Sequence, residues 1–222
     1  MPARRLLGSP KGKVALILAA AAAVPALLFG WWRSDERVEH VEGGGPLSSQ
    51  SSSGTTSVYA PRNVPWAATF GSYVLCSTDG DPITIDGVRY RAPVKPTSVA
   101  LKLRTVTPHL WKETIDAGWV GAAVGRPPHF QNRNAPGRYE DVRAGARITQ
   151  KCVDQKKEGA GFTELLFTLN VGERGGFIDA AWIDYHAHGR PYTLRLEWKM
   201  VACGSQIPHT VDGTVVCDGK QE

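Results

Sequence analysis

The sequence lacks the local motifs that mark the common catalytic centres. It contains no Gly-x-Ser-x-Gly elbow, no His-Glu-x-x-His, no Ser-x-x-Lys and no glycine-rich phosphate loop ahead of a helix. The segment Gly159-Ala160-Gly161 leads into a strand-like stretch and is interpreted as a turn. We therefore predict no catalytic residues and no cofactor, which favours a non-catalytic protein. An exported enzyme whose site is assembled from scattered residues is the alternative.

A strong charge imbalance is also missing. The formal net charge is +5, and part of it is local, because the first 58 residues hold six of the 26 basic and four of the 21 acidic residues. Beyond residue 58, twenty basic residues stand against seventeen acidic ones. Domains that bind nucleic acid concentrate far more positive charge on one surface. Nucleic acid is therefore not an expected partner.

Cysteine is absent from the first 75 residues, and no pair has the Cys-x-x-Cys spacing of a zinc ribbon or a thioredoxin-like site. An even number of cysteines in an exported domain predicts two disulfides. Three pairings are compatible with the sequence. The spacing favours Cys203 with Cys217, closing a short terminal hairpin, and Cys76 with Cys152, joining an early strand to a middle one.

One long hydrophobic run is present, from Val14 to Trp32. At about 1.5 Å per residue it would form a helix of roughly 28 Å, close to the hydrocarbon thickness of a bilayer. Basic residues dominate the flank before the run, which predicts a cytoplasmic N-terminus and an extracytoplasmic C-terminal part. A signal peptide cleaved after Ala26 is the alternative. The run continues past Ala26 and ends in Trp31-Trp32, a pair typical of the membrane interface, so a signal-anchor helix is favoured.

The composition divides the chain into four parts. A cytoplasmic basic tail covers residues 1–13, and the transmembrane signal-anchor helix covers residues 14–32. Residues 33–58 form a charged stalk and a Gly/Ser-rich linker, with the low-complexity stretch from Gly43 to Ser57 predicted to be flexible. Residues 59–222 form the extracytoplasmic disulfide-bonded domain.

Short alternating segments separated by glycine, proline and aspartate dominate the C-terminal part. Leu165, Phe167, Leu169 and Val171 share one face of a strand, and the stretch from Tyr192 to Ala202 alternates over eleven residues. A helical period is weak, and only residues 110–117 are predicted as a short helix. The pattern predicts an all-β, antiparallel β-sandwich of about eight strands, immunoglobulin-like in the broad sense.

The segment from Gly125 to Tyr139 is the candidate binding site. It combines arginines with aromatic rings and contains no acidic residue, a composition that suits anionic or sugar-bearing partners. A solvated loop that wraps one edge of the sheet is the alternative. The candidate binding residues are Arg126, His129, Phe130, Arg133, Arg138 and Tyr139.

Metal binding has only a weak signal. Asp184, His186 and His188 alternate along one side of a strand, as metal ligands would, but a polar strand end gives the same pattern and no fourth ligand can be named. Asp79, Asp81 and Asp86 do not match a calcium loop, and they lie where turns prefer aspartate. No metal is therefore predicted.

An anchor, a Ser/Gly tether and a disulfide-bonded β-domain resemble the architecture of many bacterial cell-surface proteins. We expect a single-pass protein of the cell membrane that presents a non-catalytic binding or structural domain outside the cell. Its expected partners are the membrane, through residues 14–32, and a polymer or protein of the cell envelope. An accessory subunit of a membrane complex is a further alternative.

Overall fold

A computed structural model describes residues 39–61, 65–114, 118–157 and 159–218. The basic tail, the predicted anchor at residues 14–32 and most of the charged stalk lie outside these residues. Within the four described ranges, no helix combines the length and the apolar character needed to cross a membrane.

The described residues form mostly β-structure. Sixteen strands occur: β1 (Val41–Glu42), β2 (Leu47–Ser49), β3 (Ser53–Val58), β4 (Trp66–Ser77), β5 (Ile83–Arg91), β6 (Ser98–Val106), β7 (Ala122–Arg126), β8 (His129–Phe130), β9 (Arg138–Asp141), β10 (Ala146–Ile148), β11 (Phe162–Val171), β12 (Gly176–Ile178), β13 (Ala180–Ala187), β14 (Arg190–Ala202), β15 (Thr210–Val211) and β16 (Thr214–Val215). The number exceeds the predicted eight because many are pieces of two or three residues.

A short helix, α1 (Pro108–Glu113), follows β6. Thr107 caps it by accepting a hydrogen bond from the Leu110 backbone N–H, and Pro108 fits the first turn because that position needs no N–H donor. The helix predicted over residues 110–117 therefore begins two residues earlier. Residues 115–117 lie outside the described part of the chain.

Two seven-stranded sheets pack face to face. Sheet one has the order β1-β14-β13-β5-β10, with β3 and β12 also paired to β14. Sheet two has the order β8-β7-β4-β11-β6-β9, with β2 also paired to β4. The pairs are antiparallel except for β1 and β3, which run parallel to β14. A separate hairpin joins β15 to β16.

The core fills the space between the sheets, as the alternation predicted. Leu165, Phe167, Leu169 and Val171 of β11 point inward and are buried. The predicted inner face of β14 is also confirmed, since Leu196, Met200 and Ala202 are buried and Leu194 and Trp198 pack against them. Buried apolar area on both inner faces is what holds two such sheets together.

The prediction of a flexible linker over Gly43–Ser57 is wrong for most of that stretch. Strand β2 pairs with β4, and β3 pairs with β14 over six residues. Gly54 lies against the Trp198 ring, where a Cβ would approach ring atoms to 2.8 Å. The glycines and serines permit close passage over aromatic side chains, and backbone hydrogen bonds supply the stability that composition did not reveal.

Both disulfides form with the predicted pairing. Cys76 in β4 is bonded to Cys152, which follows β10, at a Cα–Cα distance of 4.9 Å. Cys203, just after β14, is bonded to Cys217 across the β15–β16 hairpin, at 5.8 Å. The first bond ties sheet two to the segment leaving sheet one, and the second closes the C-terminal hairpin.

Candidate functional site

The structure separates the candidate binding residues of the segment from Gly125 to Tyr139. Arg126 and His129 lie in β7 and β8, at one edge of sheet two, whereas Arg138 begins β9 at the opposite edge. Arg126 donates a hydrogen bond to the Asn170 side chain, and the His129 ring contacts Asn134 at 2.9 Å. These residues therefore do not form one compact binding surface.

The remaining members of that set hold the segment against sheet two. Phe130 is buried in a cluster with Val120, Ala135 and Leu166. The Tyr139 hydroxyl donates to the Ala135 carbonyl, and the Arg133 guanidinium donates to the Val120 carbonyl. For these three residues, attachment of the loop to the outer face of the sheet is the supported role.

Beneath the loop lies an ion pair that the sequence did not reveal. Arg104 Nη1 is 2.6 Å from Glu164 Oε1, and both side chains are fully buried. Arg104 also donates to the carbonyls of Gly118 and Pro136, at 2.9 and 2.8 Å. Burial raises the pKa of Glu164, and its hydrogen bond from Arg104 opposes that rise. The pair fastens both ends of the loop to sheet two.

A polar cleft of about 470 Å³ lies where the chain passes from β9, the edge of sheet two, to β10, the edge of sheet one. The chain turns between these edge strands at residues 142–145, so the cleft is open at the side of the sandwich. Its lining is rich in arginine and in hydroxyl groups: Thr105, Arg138, Glu140, Asp141, Arg143, Arg147, Thr149, Gln150 and Thr163 contribute polar side chains.

The charges of this cleft are only partly compensated. Asp141 is paired with Lys102 at 2.6 Å, and this ammonium group lowers the pKa of the Asp141 carboxyl. Arg138 pairs with Glu140 at 3.3 Å. Arg147 is paired with Thr84 of β5 through its backbone, but its side chain makes no hydrogen bond or ion pair with any described residue. Exposed arginine can donate hydrogen bonds to carboxylate, sulfate or phosphate groups, and the neighbouring threonine hydroxyls can accept hydrogen bonds from sugar hydroxyls.

Sequence reasoning found one of the three cleft arginines. Arg138 was a candidate, but Arg143 and Arg147 stand in a turn and a short strand that carry no local signature. They become neighbours of Arg138 only because β9 and β10 belong to different sheets that meet at this edge. The pairing of the strands was needed to find them.

The weak metal candidates Asp184, His186 and His188 have separate partners. Asp184 accepts hydrogen bonds from Arg89 at 2.6 and 2.9 Å and from Thr193 at 2.6 Å. His188 contacts Asp79 at 2.7 Å. His186 contacts Asp86 instead. The three side chains are therefore not a joint ligand set.

His186 instead belongs to a different cluster, with His40 and Asp86. One ligand atom from each residue lies within 4.8 Å of the other two. His40 Nε2 is 3.0 Å from Asp86 Oδ2, and His186 Nδ1 contacts the same oxygen. The two rings meet edge to face, with centroids 5.7 Å apart. Sequence reasoning assigned His40 to a stalk and Asp86 to a turn, so their meeting was not foreseen.

Neither protein-family models nor curated proteins match this chain. The described fold places it in the class of disulfide-bonded, all-β sandwich proteins.

Proposed function

We propose that this chain is a single-pass membrane protein whose β-sandwich lies outside the cytoplasm and binds an acidic polysaccharide of the cell envelope without transforming it. The bacterial cell surface is the proposed location, and the broad immunoglobulin-like class of the sandwich is part of the same proposal. The cleft with Arg138, Arg143 and Arg147 is the observation that carries the binding function.

Two features support the location. The run from Val14 to Trp32 has the length and flanking charges of a signal anchor. All four cysteines follow that run, and all are disulfide-bonded. Disulfides persist in oxidising compartments and are rare in the cytosol, which supports export of the domain.

The chemistry of the cleft supports the ligand. Arg147 has no anionic partner among the described residues, and Arg143 acts on Asp141 only through space. A polymer that presents carboxylates and hydroxyls along its length can satisfy both arginines and the neighbouring threonines together. Each hydrogen bond to a charged group contributes about 1.5 to 3 kcal/mol to binding. A polymer with repeated acidic groups raises the apparent affinity further, because its neighbouring groups are already close to the cleft when one of them dissociates.

Retention on an immobilised polyuronate tests the proposal. The full chain in detergent is compared with the double variant Arg143→Ala/Arg147→Ala, using alginate as the acidic probe and dextran as the neutral one. We expect the wild type to bind alginate and not dextran, and the double variant to bind at least about tenfold more weakly.

The matched control is Arg174→Ala/Arg190→Ala, which removes two exposed arginines outside the cleft lining. It has the same net charge as the test variant, so it measures non-specific attraction. Equal losses in both variants, or no alginate binding by the wild type, would refute the binding site. Chemical alteration of the polymer during incubation would instead favour the alternative of an exported enzyme.

A separate experiment tests the proposed membrane anchoring and the location of the domain outside the cytoplasm. Carbonate-washed membranes from cells expressing the full chain should retain it, and external protease should reach the domain in spheroplasts. Recovery of a shortened, freely soluble chain would favour cleavage after Ala26.

A further inference from the structure

Three potential metal ligands that are far apart in the sequence meet on the outer face of sheet one. They are His40, which precedes β1, Asp86 in β5 and His186 in β13. All three side chains are partly exposed, at 17%, 30% and 36%. The cluster is therefore held by the fold and remains open to solvent.

The sheet itself directs Asp86 to this position. Strands β13 and β5 pair Asp184 with Gly87 and then Tyr185 with Ile85, so Asp86 is the extra residue of a β-bulge. Bulges turn a side chain away from the regular alternation and are frequent next to functional sites. His186 lies on the outer face because its neighbours Tyr185 and Ala187 are buried in the core.

The donor atoms face one another as ligands of one ion would. Zinc binds imidazole nitrogen and carboxylate oxygen at about 2.0 to 2.2 Å, so tetrahedral ligands are separated by about 3.3 Å. The separations here reach at most 4.8 Å and begin at hydrogen-bonding distance, so small side-chain rotations suffice. The partial exposure leaves room for water as a fourth ligand.

The ligand types select the ion. Two imidazoles and one carboxylate suit zinc, copper or nickel, whereas calcium and magnesium prefer oxygen ligands throughout. Thiols do not compete for the ion, because no cysteine is free. Asp184 lies close enough to interact electrostatically with His40, and it is itself fixed by Arg89 and Thr193.

We propose that His40 Nε2, His186 Nδ1 and Asp86 bind a divalent transition-metal ion of the zinc type. The ion fastens the chain segment that enters the domain to the outer face of sheet one. Without the ion, each of these imidazole nitrogens carries the proton that it donates to Asp86. When the ion binds, that proton moves to the other ring nitrogen, and metal–ligand bonds replace the two hydrogen bonds. The site shares no residue with the arginine cleft.

Zinc titration of the full chain in detergent, stripped of metal with EDTA and then dialysed, tests the proposal. We expect one zinc ion per chain by calorimetry and an increase in Tm, because an ion that binds only the folded state stabilises it. Magnesium at the same concentration should have no effect. The variants His186→Ala and Asp86→Asn should each weaken zinc binding by about 100-fold, since each removes a direct ligand.

His188→Ala is the matched control, because His188 lies just beyond the same strand and contacts Asp79 rather than the cluster. It should bind zinc as the wild type does. Equal weakening by His188→Ala, or an unchanged zinc affinity in His186→Ala and Asp86→Asn, would overturn the assignment. So would the absence of zinc binding by the wild type.

A measurement on the wild type alone covers the case in which a variant fails to fold. Cobalt(II) added at one equivalent should shift and broaden the ring NMR signals of His40 and His186 and leave those of His109 and His129 in place. Cobalt effects centred on His109 or His129 would contradict the proposal.

Discussion

Arg104 and Glu164 stand directly opposite each other on β6 and β11, and their ion pair is completely buried. Glu164 also accepts hydrogen bonds from the backbone N–H groups of Ser72 and Val120, at 3.0 and 3.3 Å. The pair thus connects β6 and β11 to β4 through Ser72 and to the loop through Val120. Its role is architectural, because it lies under the loop and has no access to solvent.

Glu164→Gln should destabilise the protein strongly. The substitution leaves the Arg104 charge buried without its counter-ion, a change that costs about 3 to 5 kcal/mol in comparable pairs. Urea unfolding followed by tryptophan fluorescence measures the loss. Lys102→Ala is the control on the same strand, where the pair with Asp141 is exposed and contributes less than about 1 kcal/mol. A loss no larger than that of the control would contradict the role of the pair.

Tyr73→Phe should leave the free energy of unfolding unchanged or raise it by about 1 kcal/mol. The Tyr73 hydroxyl is buried without a hydrogen-bond partner among the described residues, and burial raises its pKa well above the usual value. Removing an unsatisfied polar group removes a desolvation cost. Tyr185→Phe is the comparison, because the Tyr185 hydroxyl accepts a hydrogen bond from the Leu47 N–H. It should lower stability by about 1 kcal/mol, and the opposite order of the two variants would refute the explanation.

Gly54→Ala should destabilise the domain by more than about 2 kcal/mol. Its φ of +148° disfavours side chains, and a Cβ would collide with the Trp198 ring. Gly44→Ala is the matched control in the same segment, since Gly44 has a φ of +69° but open space around its Cβ position. Backbone strain should lower the free energy of unfolding of Gly44→Ala by only about 1 to 2 kcal/mol. Thermal unfolding separates the two, and an equal, small effect would show that residues 43–57 are a flexible linker after all.

The Asp79–His188 pair should stabilise the fold in a limited pH range. Hydrogen bonds from Ser77 and His188 lower the pKa of Asp79 to about 2, and Asp79 in turn raises the pKa of His188. The contribution of Asp79 to the free energy of unfolding is present above the pKa of 3.8 that this carboxyl has in the unfolded chain, and it is lost as the pH falls towards 2. The contribution of His188 to the free energy of unfolding is complete below the pKa of 6.5 that the ring has in the unfolded chain. It is lost as the pH rises through the higher pKa of His188 in the folded protein.

An NMR titration of the His188 ring checks this pair. Asp79→Asn should return the His188 pKa towards its ordinary value. Asp81→Asn should change it less, because Asp81 lies farther away, at 3.7 Å, and acts on His188 through its charge without a hydrogen bond. An identical His188 titration in the wild type and Asp79→Asn would disprove the coupling.

The features that could be predicted from the sequence are those that depend on a local pattern of residues. Alternation identified the inner faces of β11 and β14, and spacing identified the disulfide pairs. The faces follow from the two-residue period of a strand, and the pairing of Cys203 with Cys217 follows from the closure of a short loop, which leaves Cys76 and Cys152 for the second bond.

Features created by strand pairing could not be predicted in this way. Arg104 follows Leu103 in β6, so alternation places it on the outer face of sheet two, but a loop from a later segment covers it. His40 and Asp86 are 46 residues apart and Asp86 and His186 are 100 apart, and the pairing of β5 with β13 brings the latter two together. Strand β3 escaped notice because its stability comes from backbone hydrogen bonds and from Trp198, which donates to Thr56.

The parallel strands β1 and β3 also decide how this domain can be handled in isolation. Together they cover one edge of β14, a strand of thirteen residues. A fragment that begins at Tyr59 would present that edge to the solvent, and an unpaired edge of this length is a template for sheet-to-sheet aggregation between copies. A soluble form therefore has to begin ahead of His40, which retains the strands that keep neighbouring molecules from pairing.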